Sequence, residues 1–227
     1  MRSLLISTAA LLAAACASGA PAPELASGPV AAEPAPLVPV KFETYSAKQF
    51  YGTVNYNLAA GRGRCFSPDG QTLLISSDET GIINTYAMGL DGTMTALTAS
   101  ETDSTFAESY FPAGDRVLVE ADGGGDELHL LFVRRADGTL TDLTPGEKTR
   151  ATFLGWNANG ETFYVASNAR DASTDDVYAY SAADFSSRMI YQNDGLELGG
   201  ISPDGKLLAL VENVSSADAN IYIYDLL

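Results

Sequence analysis

Positive charge is scarce in this chain. Thirteen Lys and Arg stand against 29 Asp and Glu, for a formal net charge of −16. Phosphate recognition needs clustered cations, so no nucleic acid is expected as a partner. The acidic balance suits a soluble domain outside the cytoplasm. Histidine occurs once, at His129, and cysteine twice, at Cys16 and Cys65. One imidazole and one isolated thiol cannot supply the usual nitrogen and sulfur ligands of a zinc site. No metal and no cofactor is expected.

Catalytic motifs are missing as well. A Gly-x-Ser-x-Gly elbow would place a serine nucleophile on a strained turn. The nearest approach is Gly200-Ile201-Ser202-Pro203-Asp204, which lacks the closing glycine. Without such a turn, His129 reads as a strand residue rather than a catalytic base. Gly61-Arg62-Gly63 lacks the third glycine of a dinucleotide loop. Asp122-Gly123-Gly124-Gly125-Asp126-Glu127 is acidic and flexible, but its spacing fits no EF-hand, so it reads as a hairpin. Asp171, Asp175 and Asp176 are expected in the equivalent loop further on, making one face acidic.

No long apolar run opens the chain. Residues 4–15 are apolar or small, only 12 positions, too short for a membrane-spanning helix and suited to an export signal. Ala13-Ala14-Ala15-Cys16 resembles a bacterial lipoprotein processing site, with Cys16 lipidated and held in a membrane. Ala15-Cys16-Ala17 also fits ordinary cleavage after Ala17. Either way the protein is expected to be exported, to the periplasm or to the outer membrane as a lipoprotein. Residues 1–17 are read as this signal. Residues 18–40 hold Pro21, Pro23, Pro29, Pro34, Pro36 and Pro39 and read as a linker. Once Cys16 is lipidated or removed, Cys65 has no partner for an intramolecular disulfide and reads as a buried, inert thiol.

What is present is a repeat, over residues 41–227. Phe66-Ser67-Pro68-Asp69-Gly70, Phe111-Pro112-Ala113-Gly114-Asp115, Trp156-Asn157-Ala158-Asn159-Gly160 and Ile201-Ser202-Pro203-Asp204-Gly205 each precede a short apolar run. Their first residues, Phe66, Phe111, Trp156 and Ile201, stand 45 positions apart. A period in the forties with four short strands per unit marks a β-propeller. The fold class is therefore all-β: four-stranded antiparallel blades, about four of them. In the first unit the strands are expected at residues 63–66, 72–77, 83–88 and 94–98. Asp91-Gly92 and Asp137-Gly138 mark tight hairpins. Trp156, Tyr178, Tyr180, Tyr222 and Tyr224 are expected between blades. The fourth unit stops after Asp225-Leu226-Leu227, one strand short. Either residues 51–57 close it, or the chain is part of a larger ring, the reading favoured here.

The blades resemble the N-terminal propeller of serine peptidases of the prolyl oligopeptidase family. The resemblance rests on the Ser-Pro-Asp-Gly turns, Ser76-Ser77-Asp78-Glu79-Thr80-Gly81 leading to Asn84 and Tyr86, Tyr110-Phe111-Pro112, and Gly124-Gly125-Asp126-Glu127. Gly155-Trp156 and Ser167-Asn168-Ala169-Arg170-Asp171 complete it. In that family an α/β-hydrolase domain with a Ser-Asp-His triad follows the propeller. The resemblance thus implies a gating half that meets peptide, without the chemical half. TolB-like periplasmic propellers share the turn motif, and a protein-binding scaffold is the alternative. Peptide or protein would meet charged residues on or beside the inner strands: Arg62, Arg64, Glu108, Arg150 and Glu197.

Overall fold

The structure is a computed structural model that describes residues 44–59, 61–123, 128–146 and 148–227. The expected signal, Cys16, the linker and residues 124–127 lie outside the described residues. The chain divides into two units. Among the described residues, one ends at Thr53 and the other is Val54–Leu227. Within the first, α1 (Ala47–Tyr51) starts on a capping box: Gln49 N donates to Ser46 Oγ and Ser46 N to Gln49 Oε1.

The second unit carries four antiparallel sheets. The first is β1 (Tyr56–Leu58), β2 (Thr72–Ser77), β3 (Asn84–Gly89) and β4 (Met94–Ala96). The second is β5 (Thr105–Tyr110), β6 (Val117–Ala121), β7 (Leu130–Arg134) and β8 (Leu140–Asp142). The third is β9 (Ala151–Trp156), β10 (Thr162–Asp171), β11 (Thr174–Ser181) and β12 (Ser187–Tyr191). The fourth has three strands, β13 (Glu197–Ile201), β14 (Leu207–Ser215) and β15 (Asp218–Asp225). This is the β-propeller architecture expected from the repeat, and the sheets do not close into a ring.

Three expectations are corrected. The inner strand of the first sheet begins earlier than residue 63. Tyr56–Leu58 pairs with Ser77, Ser76 and Ile75, and the same line resumes where Leu74 N donates to Cys65 O and Phe66 bridges Leu73. Residues 56–58 are therefore committed to the first sheet and do not close the fourth. Asn55 secures this entry, since its backbone and side-chain N–H groups both donate to the Asp78 carboxylate at 2.7 Å. Cys65 is free and half-buried rather than fully buried.

The second repeat is out of phase with the even 45-residue spacing. In the other units the anchor pairs with the residue seven positions on: Phe66 with Leu73, Trp156 with Phe163, Ile201 with Leu208. In the second unit Tyr110, not Phe111, makes that pairing, with Val117. The turn explains it. Gly70, Gly160 and Gly205 stand four residues after their anchors with φ near +70°, and Gly114 (φ 76°) stands four after Tyr110. The left-handed glycine sets the register, because a side chain there would strain the turn.

With the register so aligned, each anchor turns toward the preceding sheet. Tyr110 packs in the cluster shared with the first sheet, and its hydroxyl lies 2.8 Å from Thr72 Oγ1. Trp156 stacks edge-on to Phe111, with ring centroids 5.0 Å apart, and its Nε1 donates to Ser109 Oγ. Ile201 packs on the core of the third sheet. Alternation along the second strand of each sheet supplies the rest. Leu118 of the second sheet meets Phe163 and Val165 of the third, and Tyr164 and Ala166 of the third meet Leu208 and Leu210 of the fourth. Tyr178 and Tyr180 pack toward the second sheet and Tyr222 toward the third, while Tyr224 meets Tyr191 edge to face.

Phe111 is fully buried and touches Trp156, Phe163 and Phe185. Phe111→Ala should cost about 3–5 kcal/mol, the usual range for emptying an aromatic site. Urea unfolding followed by the emission of Trp156, the one tryptophan, reads this directly. A loss below about 1 kcal/mol would mean that the second and third sheets do not interlock here.

Candidate functional site

The inner strands β1, β5, β9 and β13 bring the charged candidates to different places. Arg62 lies in the connection between β1 and the Phe66 turn, and its carbonyl comes up against Gly155 of β9. Glu197 opens β13. Arg62 and Glu197 line one cleft of about 240 Å³, together with Thr152, Leu154, Asp175 and Asn193. Arg150 stands just before β9 and joins this cleft through Asp175, with Nε 3.0 Å from Oδ1. Both partners of that pair are more than a third exposed, so it contributes little to stability. Three of the five candidates thus converge where the first, third and fourth sheets meet.

Arg64 is placed otherwise. Its backbone N donates to Ser109 Oγ and its carbonyl accepts from Tyr110 N, tying the first sheet to the second. Its guanidinium lies beside the Gly160 turn, away from the cleft residues. Glu108 is the extra residue of a β-bulge in β5, where the register skips between Ala107 and Ser109. Burial, and then the nearby Glu120 carboxylate, push its pKa up to about 7, against the pull of Arg62. Glu120 is also raised by burial, although His129 Nδ1 sits 2.6 Å from its Oε1. His129 is thus the partner of a carboxylate, and Ser202 Oγ donates to Asp204 and accepts from Leu207 N. His129 stands just before β7 rather than inside a strand, a correction to its reading as a strand residue.

The acidic-loop expectation needs correction. Asp175 and Asp176 lie inside β11, not in a loop. Asp176 is fully buried and receives Arg170 Nε at 2.6 Å, Arg170 Nη2 at 2.9 Å and Asn193 N at 2.8 Å. Burial works to raise its pKa, but the Arg170 and Asn193 hydrogen bonds outweigh it and hold the carboxyl below the usual range. Asn193 also donates to the Asp175 and Leu196 carbonyls. This network holds the connection from β12 to β13, which forms one wall of the cleft. Asn193 gave no signal in the sequence, where an isolated Asn looks like any turn residue. A larger hollow of about 650 Å³ lies between the outer strands of the first and second sheets, lined by Leu97, Leu130, Phe132 and Leu140. It reaches one inner strand only at Thr105, the first residue of β5. Among the described residues no cluster of His, Cys, Asp and Glu is arranged to hold a metal.

No family model matches the chain. No curated protein matches it in sequence. Solved structures do. TolB from Acinetobacter baumannii superposes with a TM-score of 0.52 at 22% identity over 77% of this chain and 41% of its own. A prolyl endopeptidase superposes with a TM-score of 0.54 at 16% identity over 71% of this chain and 26% of its own. Prolyl oligopeptidase B from Galerina marginata gives 0.53 at 10% identity, over 74% and 26%. At these identities the likeness is one of fold. The chain spans less than half the length of any of the three.

The raised Glu108 predicts a pH dependence of stability. Its folded-state pKa lies above the ordinary glutamate value, so its protonated form favours the folded state. That contribution is complete below about pH 4.5, fades as pH rises, and is lost above about pH 7. Its size is on the order of 3 kcal/mol. Glu108→Gln should therefore flatten the fall in stability between pH 5 and pH 8 and raise stability at pH 8. Parallel profiles for the variant and the parent protein would show that Glu108 is not the group responsible.

Proposed function

We propose that this chain is a non-catalytic propeller segment of an exported protein, and that it receives an extended peptide at the cleft of Arg62, Asp175 and Glu197. The observation that carries the reading is the convergence of opposite charges in one concave site at the ends of the inner strands. A cation and two carboxylates lining one cleft suit a peptide's charged terminus and backbone amides. In a protein of the prolyl oligopeptidase kind this cleft would orient peptide on its way to a hydrolase domain. The fold likeness to prolyl endopeptidases supports that version. The likeness to TolB supports a second version, a scaffold that binds a folded protein, tethered by lipid at Cys16 in the periplasm.

Two measurements test this. Fluorescein-labelled tryptic peptides of casein should bind the full chain with micromolar-range anisotropy changes. Arg62→Ala or Glu197→Ala should weaken binding at least fivefold, and Lys206→Ala should leave it unchanged. Binding that ignores all three substitutions would remove the cleft from consideration. The chain itself should hydrolyse neither peptide nor ester substrates. Steady turnover abolished by Ser202→Ala or His129→Ala would refute the non-catalytic reading.

A further inference from the structure

The boundary between the first and second sheets is built like the one between the second and third, but with less in it. Leu97 N donates to Thr85 O in the first sheet, as Leu143 N donates to Leu131 O in the second. Thr85 and Ala87 of β3 therefore hold the places that Leu131 and Val133 hold in β7. On the facing sheet, Arg134 Nε donates to the Leu97 carbonyl where Tyr180 Oη donates to that of Leu143. The hairpins differ too. Gly138 N donates back to Arg135 O, and Phe185 N to Ser181 O. Both residues are left-handed, with φ 87° and 63°. A phenylalanine is strained there. Its ring nevertheless packs into the boundary of the second and third sheets, with its centroid 6.0 Å from that of Phe111. Thr, Ala, Arg and Gly thus stand where the next boundary has Leu, Val, Tyr and Phe. The hollow of about 650 Å³, which Gly138 lines, opens between these same sheets.

The hollow has firm walls and two unlike ends. Ala121 opposes both Thr105 and Leu130, and all three line it. One wall is pinned by Asn84 Oδ1, which accepts from Thr98 Oγ1 and Ser100 N. Leu140 opposes Arg134 at the far end of β7, so Phe132, Leu140 and Leu97 make an apolar end beside Gly138. At the near end, Asp122 directly follows Ala121, and Asp103 stands two residues before Thr105. Thr102 Oγ1 donates to Asp103 Oδ2 at 3.0 Å and so fixes that carboxylate. The described residues that line the hollow include these two carboxylates and no Lys or Arg. Leu130 and Phe132 are two strand positions apart, roughly 7 Å.

We propose that this hollow binds an arylalkylamine, with its ring beside Phe132 and Leu140 and its ammonium group at Asp103 and Asp122. The ring supplies the apolar volume that Phe185 supplies at the next boundary. The carboxylates select a cation and reject an anion of the same shape. A two-carbon link spans the distance between the ends. The volume lies within the ordinary range for small-molecule sites, roughly 300–1,000 Å³. This site is independent of the peptide cleft, with which it shares no described lining residue.

Titration calorimetry of the full chain with tryptamine, in 0.15 M NaCl, reads the result. The salt screens general attraction to the net charge of −16. One tryptamine per chain should bind, with a Kd on the order of 100 μM for a ligand of this size. Indoleacetate, with the same ring and the opposite charge, should bind at least tenfold more weakly, and ethylamine, without the ring, should not saturate. Ala121→Leu fills the hollow and should weaken tryptamine at least tenfold with unchanged circular dichroism. Asp122→Asn should weaken it at least fivefold, and it decides the matter should Ala121→Leu alter the fold. Absence of saturable tryptamine binding overturns the proposal. So does indoleacetate binding as tightly as tryptamine, or an affinity that Asp122→Asn leaves unchanged.

Discussion

Everything in this molecule depends on apolar contact between one sheet and the next. A four-stranded sheet of short strands has two faces and cannot bury either alone. Here each interior sheet gives one row of its second strand forward and the alternate row backward. Tyr164 and Ala166 face one neighbour while Phe163 and Val165 face the other. At about 25 cal/mol per Å² of apolar surface, each such boundary outweighs any single hydrogen bond in the fold. Polar ties then set the register without supplying the bulk of the energy: Thr72 to Tyr110, Ser109 to Trp156, Leu143 to Tyr180.

The cleft follows from that packing rather than from any local motif. Stacking the sheets carries Arg62 from the connection after β1 to the start of β13, more than a hundred positions away. Beside it the buried Asp176 carboxylate is held by the exposed Arg170 guanidinium and by the Asn193 backbone N–H. Removing Arg170 would leave the buried Asp176 carboxylate short of its counter-charge, a costly state. Arg150–Asp175, at the cleft, is partly exposed and contributes little to stability by itself.

Much of the architecture was legible before any coordinates. The turn glycines, the Asp-Gly hairpins and the alternating apolar runs located most strands to within a few residues, and the fourth sheet does lack its outer strand. Two misreadings had separate origins. Phe111 is adjacent to Tyr110 and more apolar, so it stood in for the anchor and the repeat looked perfectly even. Tyr56–Leu58 is too short and too exposed to carry a strand signal, so it was offered to the wrong sheet. Of the charged candidates, Arg62 and Glu197 line one cleft, and Arg64 and Glu108 are not among its lining residues. Chain position near an inner strand says nothing about which side of a bulge or turn a side chain occupies.

The sequence by itself determined the propeller class, the number of repeats and the absence of a nucleophile elbow. These follow from periodicity and turn chemistry, which act over a handful of neighbouring residues. Only the tertiary structure decided the phase of the second repeat, the strand that opens the first sheet, the ionisation of Glu108 and Asp176, and the meeting of Arg62 with Glu197. Each of those depends on which atoms from distant segments exclude water together, and no local pattern encodes that.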